Sequence, residues 1–245
     1  MAWWSRGEVS GSPQIAGAAA AHASGVRSFA AGRYEDAVAH FERALADCLA
    51  VNGPRHPHAL VVAGNLGVAH FAAGRPLVGL SMLADNLAER ERVLGEDDPR
   101  TLTAGAALAT AYCDAGEIDN AVRLSARSTA ERRRVLGQAH PDTLISRLGL
   151  ARARALAGDS DSAATLLAAA LHDADRAHGP LHPYTLVLRA NMACLLAEVG
   201  RYPEAAAEFA RAVADSGAAY GETHPETIAL EHDWVSMLPE HLADA

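Results

Sequence analysis

The chain of 245 residues contains no lysine, and all 21 of its basic side chains are arginine. That removes a lysine Schiff base and a lysine general base from consideration. Cysteine is scarce: Cys48, Cys113 and Cys194 are odd in number and belong to no paired motif. This usage excludes a disulfide framework and fits a reducing compartment, so the cytoplasm is the expected location. No stretch approaches the roughly 20 apolar residues of a membrane span, and no membrane partner is expected. One arginine before Glu8 and a short alanine run do not make a signal peptide. Also missing are a Gly-rich phosphate loop, a G-x-S-x-G elbow, a Rossmann fingerprint, and any H-E-x-x-H or C-x-x-C context. No cofactor is therefore expected.

The formal charge of −9 argues against a nucleic-acid partner, because phosphate contacts need a basic face. The charge is uneven. Residues 123–154 carry eight arginines against Glu131 and Asp142, a net of +6, whereas residues 183–245 carry ten carboxylates against three arginines, a net of −7. Solvated helix faces account for most of such a pattern; the sharper reading is an anionic ligand or partner at the basic zone.

What the sequence has is a period. Gly53, Gly95, Gly137, Gly179 and Gly221 are 42 residues apart, and so are Pro57, Pro99, Pro141, Pro183 and Pro225. Leu60, Leu102, Leu144, Leu186 and Ile228 follow at one offset. A fixed period in this range means stacked supersecondary units, none of which buries its apolar face alone.

Each unit reads as two helices. In the third, Asp98 suits an N-cap and Pro99 the first helical position, where a missing N–H costs nothing. Leu102, Ala106, Leu108, Ala109 and Ala111 recur at helical spacing, and Gly116 stops the helix. A second helix presents Ile118, Ala121, Val122, Leu124, Val135 and Leu136, and Gly137 closes it. Gly32 lies 42 residues before Gly74, which extends the pattern to a first pair. The chain is thus expected to be all-α: five antiparallel helix pairs (14–52, 53–94, 95–136, 137–178, 179–220) and a C-terminal capping helix (221–238). These form one solenoid domain, 14–238, between tails 1–13 and 239–245. In the N-terminal tail, Trp3 and Trp4 read as an ordered end on the first helix, or as an insertion into a groove or partner.

The motifs Asn65-Leu66-Gly67 with Gly74, and Asn191-Met192-Ala193 with Gly200-Arg201-Tyr202 and Ala205, resemble the tetratricopeptide repeat. Gly32-Arg33-Tyr34 with Ala37, Phe41 and Ala44 carries the second-helix half. The 42-residue period and the G-x-x-H-P-x-T loop are similar to the kinesin-light-chain subclass. The resemblance implies a right-handed α-solenoid whose first helices line a concave groove. Carried over position by position, it puts Asn65, Val68, Phe71, Thr103, Thr110, Cys113, Asp114, Leu148, Arg152, Asn191, Cys194 and Glu198 in that groove, with His22, Val26 and Phe29 at its N-terminal end.

Two binding modes of the family can be weighed against this set. A carboxylate clamp needs several cationic and amide side chains on consecutive first helices, and Arg152 with two asparagines does not make one. An asparagine ladder keeps Asn65 and Asn191 but has Ala107 and Gly149 between them. A channel with small apolar walls, isolated polar anchors and a buried Arg152 suits an amphipathic helix or a compact ligand with an acidic group. Signalling-peptide receptors of Gram-positive bacteria resemble this solenoid too, which suggests a bacterial regulator, although residues 1–13 are too short for their DNA-binding domain.

The histidines His56, His140, His182 and His224 share one loop slot. Copies stacked on the order of 10 Å apart cannot share metal bonds of about 2 Å, so no metal is expected. One grouping for catalysis stands out, Cys113 with Asp114 facing Arg152 or Glu198. The leading expectation is a non-catalytic adaptor or regulator that binds a protein or peptide segment with an acidic anchor. The alternatives are a small-molecule binder or unusual biosynthetic enzyme, and self-association through the tryptophan pair or an end helix.

Overall fold

The computed structural model describes the backbone of residues 13–237 and the side chains of 16–237. Trp3 and Trp4 lie outside the described residues. Every regular element among those described is a helix: α1 (Pro13–Ala30), α2 (Tyr34–Asn52), α3 (Pro57–Ala72), α4 (Pro76–Leu94), α5 (Pro99–Asp114), α6 (Ile118–Leu136), α7 (Pro141–Leu156), α8 (Ser160–His178), α9 (Pro183–Glu198), α10 (Tyr202–Tyr220) and α11 (Pro225–Met237). The fold is an all-α solenoid of helix pairs.

The period is built from caps. Asp98 and the histidines His56, His140 and His182 are N-caps whose side chains accept the backbone N–H two residues on, and a proline follows each. His224 does the same toward Glu226 at 3.3 Å. In these histidines Nδ1 is the acceptor, so the loop slot has a structural task. Within each pair the turn is closed by bonds from Arg33, Arg75, Glu117, Asp159 and Arg201 to the carbonyl five residues back, the Schellman pattern. Its glycines, Gly32 through Gly200, have φ of 71° to 82°. Gly53, Gly95, Gly179 and Gly221 close the second helices with φ of 77° to 102° and ψ of 153° to 171°, a region essentially reserved for glycine.

The chain divides into two compact bodies, residues up to Glu117 (α1–α5) and from Ile118 (α6–α11). In the first, Phe41 is fully buried and lies over Gly25, where a Cβ would sit 2.6 Å from the ring. The α3/α4 crossing is tighter still. A Cβ on Gly79 would lie 2.7 Å from the Gly67 carbonyl oxygen and 2.8 Å from Phe71 Cβ. In the second body the corresponding slots hold Ala151 with Ala163 and Ala193 with Ala205, all 1% exposed or less.

Buried arginines tie the helices together. Arg90 on α4 donates to the carbonyls of Leu60 (2.9 Å) and Arg100 (2.8 Å) and to Asn86 Oδ1 (2.8 Å). Burial lowers its guanidinium to about 10, still charged at neutral pH. Arg132 on α6, 42 residues on, donates to the Asp142 carbonyl at 3.0 Å and to Ser146 Oγ at 2.7 Å. In the last two pairs the arginine comes from the first helix. Arg147 on α7 meets Asp173 on α8 at 2.5 Å, and Arg189 on α9 meets Glu208 and Asp215 on α10, each at 3.2 Å.

This corrects two sequence expectations. The buried line of α6 is Ala121, Ser125, Ser128 and Arg132, not the apolar set, and Val135 is 37% exposed. The reason is that Arg132 needs to reach carbonyls, so the α6 face carrying it is turned inward. The basic zone of 123–154 is also not simply a solvated face. Arg132 and Arg147 are buried, Arg127 pairs with Glu131 at 2.6 Å and Arg154 with Asp159 at 3.1 Å.

Candidate functional site

In the first body Asn65 on α3 is 9% exposed, and its Nδ2 lies 2.8 Å from His22 Nε2 on α1. An amide nitrogen only donates, so His22 Nε2 is the acceptor and that nitrogen carries no proton. Burial, with His58 alongside, lowers the His22 imidazole to about 4. The His22 ring is edge-on to His58 with centroids 5.6 Å apart, and 5.7 Å from the Phe41 ring. His58 Nδ1 in turn lies 3.3 Å from Cys48 Sγ, and burial lowers the His58 imidazole and raises the Cys48 thiol. Asn65 is therefore committed to a partly buried network. Val68 and Phe71 are half-buried on the same helix, and Phe71 is packed against Gly79. On α5, Thr103 and Thr110 are exposed by their hydrogen bonds and return them to their own helix, to the carbonyls of Pro99 (2.6 Å) and Ala106 (3.1 Å). Cys113 is buried at 7% and Asp114 is exposed.

In the second body α7 and α9 lie side by side. Between them is a half-open recess of about 430 Å³ that gathers Leu148 and Arg152 from α7 and Asn191, Cys194 and Glu198 from α9. These five were all expected in a groove. Helical spacing explains their convergence: Leu148 and Arg152 are four residues apart, and Asn191, Cys194 and Glu198 run three and four apart, so each set shares a face. Leu156 and Val199, exposed at 49% and 36%, add apolar wall, and Leu167 of α8 reaches in from behind.

Arg152 is exposed, which corrects the expectation of a buried anchor. The buried arginines are Arg90, Arg132, Arg147 and Arg189, each consumed by the packing described above. Asn191 gives its Nδ2 to the Val187 carbonyl of its own helix at 2.8 Å. An added Cβ at Gly149, the vacant slot between the two asparagines, would meet nothing within 4 Å. Cys194 is pushed up to about 11 by burial and then by the charges of Asp233 and Glu198. At neutral pH it is a thiol and a poor nucleophile. Of the grouping considered for catalysis, Cys113 and Asp114 belong to the first body and Arg152 and Glu198 to the second. Among the described residues no three His, Cys, Asp or Glu side chains cluster as metal ligands, and no helix is long and apolar enough to cross a membrane.

Sequence reasoning missed the His22–Asn65 link and the His58–Cys48 contact. A signal was present, since His22 lies 43 residues before Asn65 and both fall on first helices. The repeat alignment placed both in the groove without asking whether they meet.

This geometry is that of a repeat family. A tetratricopeptide repeat model matches residues 18–78 and 102–172, and a second one matches 60–100 and 185–226. The chain belongs to the tetratricopeptide repeat family. No curated protein matches the sequence. Among solved structures, it is similar to the putative kinesin light chain nearly identical TPR-like repeats of Podosopora anserina, at 24% identity and a TM-score of 0.73 over 82% of this chain and 94% of that one. It is also similar to BtubC (BKLC) from P. vanneervenii, at 15% identity and a TM-score of 0.68 over 88% and 95% of the two chains. A Rap protein complexed with Competence and Sporulation Factor matches at 11% identity and a TM-score of 0.69, over 87% of this chain and 58% of that one. These neighbours mark a kinesin-light-chain-like repeat, and the fold suggests a protein–protein interaction module.

Proposed function

We propose that the protein is a non-catalytic adaptor or regulator that takes a segment of a partner protein into the recess between α7 and α9. The observation that carries this reading is the convergence of Leu148, Arg152, Asn191, Cys194 and Glu198 on one recess. Leu148 and its apolar neighbours would contact a nonpolar side chain, and Arg152 an acidic group. Glu198 would select a nearby cation on the same segment. The Rap neighbour, complexed with Competence and Sporulation Factor, is a case of this fold in a complex.

The size of the recess favours one second reading, a compact small molecule with an acidic group, since ligand pockets span about 300–1,000 Å³. One experiment separates the two. The full chain and its Arg152→Ala variant are used as bait in the source lysate, and mass spectrometry reads both retained proteins and released small molecules. A protein retained by the wild type and depleted with Arg152→Ala supports the adaptor reading. A small molecule with that behaviour replaces it. For the captured protein, Arg152→Ala should weaken binding by about 1 kcal/mol, roughly fivefold, because the arginine is exposed and its ion pair screened. An unchanged dissociation constant would remove Arg152 from the site.

A further inference from the structure

The last helix repeats the sequence pattern of the earlier first helices but not their burial. Leu60, Leu144 and Leu186 are 5% exposed or less, whereas Ile228, in the same slot, is 52% exposed. Ala151 and Ala193 are 1% exposed or less, whereas Val235, in the same slot, is 67% exposed. Ile228, Glu231, His232 and Val235 follow the i, i+3, i+4, i+7 rule and make one face of α11, and Glu231 and His232 are exposed as well.

What covers this face elsewhere is plain from the other pairs. In α3 the corresponding face meets α4: Asn86 and Arg90 bond the Leu60 carbonyl, and Cβ atoms at Gly64 and Gly67 would touch Asn86 and Leu83. In α7, Leu144 and Ala151 pack with Ala163, Leu167, Ala170 and Ala174 of α8. Each cover is the second helix of the pair, 19 residues long. None of the described helices performs this for α11, whose burial is limited to the side facing α9 and α10.

The charge on the face says more about the cover. In the two preceding pairs the third position of the face is an arginine, Arg147 or Arg189, which meets Asp173 or Asp215 on the covering helix. In α11 that position is Glu231. A covering helix with an aspartate there would meet like charge, and one with an arginine would form the same link with its sign reversed.

We propose that the Ile228–Val235 face of α11 receives an amphipathic helix of a partner protein, which completes the pair in trans. The partner helix carries an apolar stripe of small and medium residues, a small one over Val235 and an arginine against Glu231. This surface is separate from the recess between α7 and α9.

The test is a charge swap. Two synthetic peptides are labelled with fluorescein: the α8 sequence, residues 160–178, and the same peptide with Asp173→Arg. Each is titrated with the full chain and with its Glu231→Arg variant, and anisotropy is read. Ile228, Glu231 and Val235 are exposed, so the variant should keep the helical circular dichroism of the wild type. The expected result is that wild type binds the Asp173→Arg peptide at least about tenfold more tightly than the unaltered one, and that Glu231→Arg reverses the order. Absence of saturable binding, or a preference that Glu231→Arg leaves in place, overturns the proposal. Sedimentation of the chain alone is the companion measurement: a dimer dissolved by Ile228→Ser would make a second copy the occupant and would equally overturn it.

Discussion

The two bodies meet the same 42-residue register with different side chains. In the first, α3 and α4 cross with Gly67 against Gly79 and no room for a methyl group, and the buried arginine Arg90 comes from the second helix. In the second, alanines face each other at the equivalent slots, and Arg147 and Arg189 come from the first helix to meet carboxylates on the second. The slots opposite are small where the arginine has changed sides: Ala63 corresponds to Arg147, and Ala174 to Arg132. The register fixes where helices start and stop, while the contents of two or three slots fix how closely they approach. Where α7 has Gly149 and α9 has Asn191, the same freedom leaves a recess.

Four measurements would break or sharpen this contrast. Arg189→Ala should have the largest effect, because it strands Glu208 and Asp215. These carboxylates are partly solvated, so the loss is about 2–3 kcal/mol rather than the full cost of an isolated buried charge. Chemical denaturation monitored by circular dichroism would read it, and a loss below 0.5 kcal/mol, about the surface-mutation range, would show the pairs to be incidental. Gly79→Ala comes next. A methyl group driven against the Gly67 carbonyl and Phe71 should cost about 1–3 kcal/mol, with protection lost in α3 and α4 by hydrogen exchange.

Acid should separate the bodies. His22 is held neutral in the fold, so the unfolded chain binds more protons between about pH 6.5 and about 4, and stability of the first body falls as pH drops through that window. Solvent screening reduces the contribution to about 1–2 kcal/mol. In the second body burial raises Asp173, but hydrogen bonds from Arg147 and Gln138 outweigh it, and the carboxyl is held below its usual value. Its contribution is present above the ordinary carboxylate range and is lost only when pH falls through the lowered value. Hydrogen exchange at pH 5 should therefore show faster opening in α1–α3 than at pH 7, with α7 and α8 unchanged; the reverse order would contradict the assignment. The smallest effect is Gly149→Ala, which should stabilise by about 0.5–1 kcal/mol, since the added methyl meets open space and removes a helical glycine. A destabilised variant would mean that the space at Gly149 is not open.

Much of this fold was legible in the sequence because its punctuation is local. Pro57 and its repeats, the caps at His56 and Asp98, and the closing glycines act within one turn of helix, so spacing alone finds them. The recess on α7 and α9 was legible for the same reason, once family positions were carried across. The burial of Arg152 was not, because three arginines in 147–154 look alike in sequence and only packing shows that Arg147 is the inward one. The polar inner face of α6 escaped for a related reason: hydrophobic periodicity favoured Val122 and Leu124, and Arg132 is drawn in by carbonyls that no pattern displays. The bond between His22 and Asn65 depends on how closely neighbouring first helices approach, which the register does not specify.

The central claim is that a partner segment sits between α7 and α9. Its most direct test is hydrogen exchange on the full chain with and without the protein captured by it from the lysate. The account predicts slowed exchange in residues 148–156 and 191–199, which Arg152→Ala should diminish. Slowing confined to α11, or to α1–α5, with α7 and α9 unchanged, would contradict it.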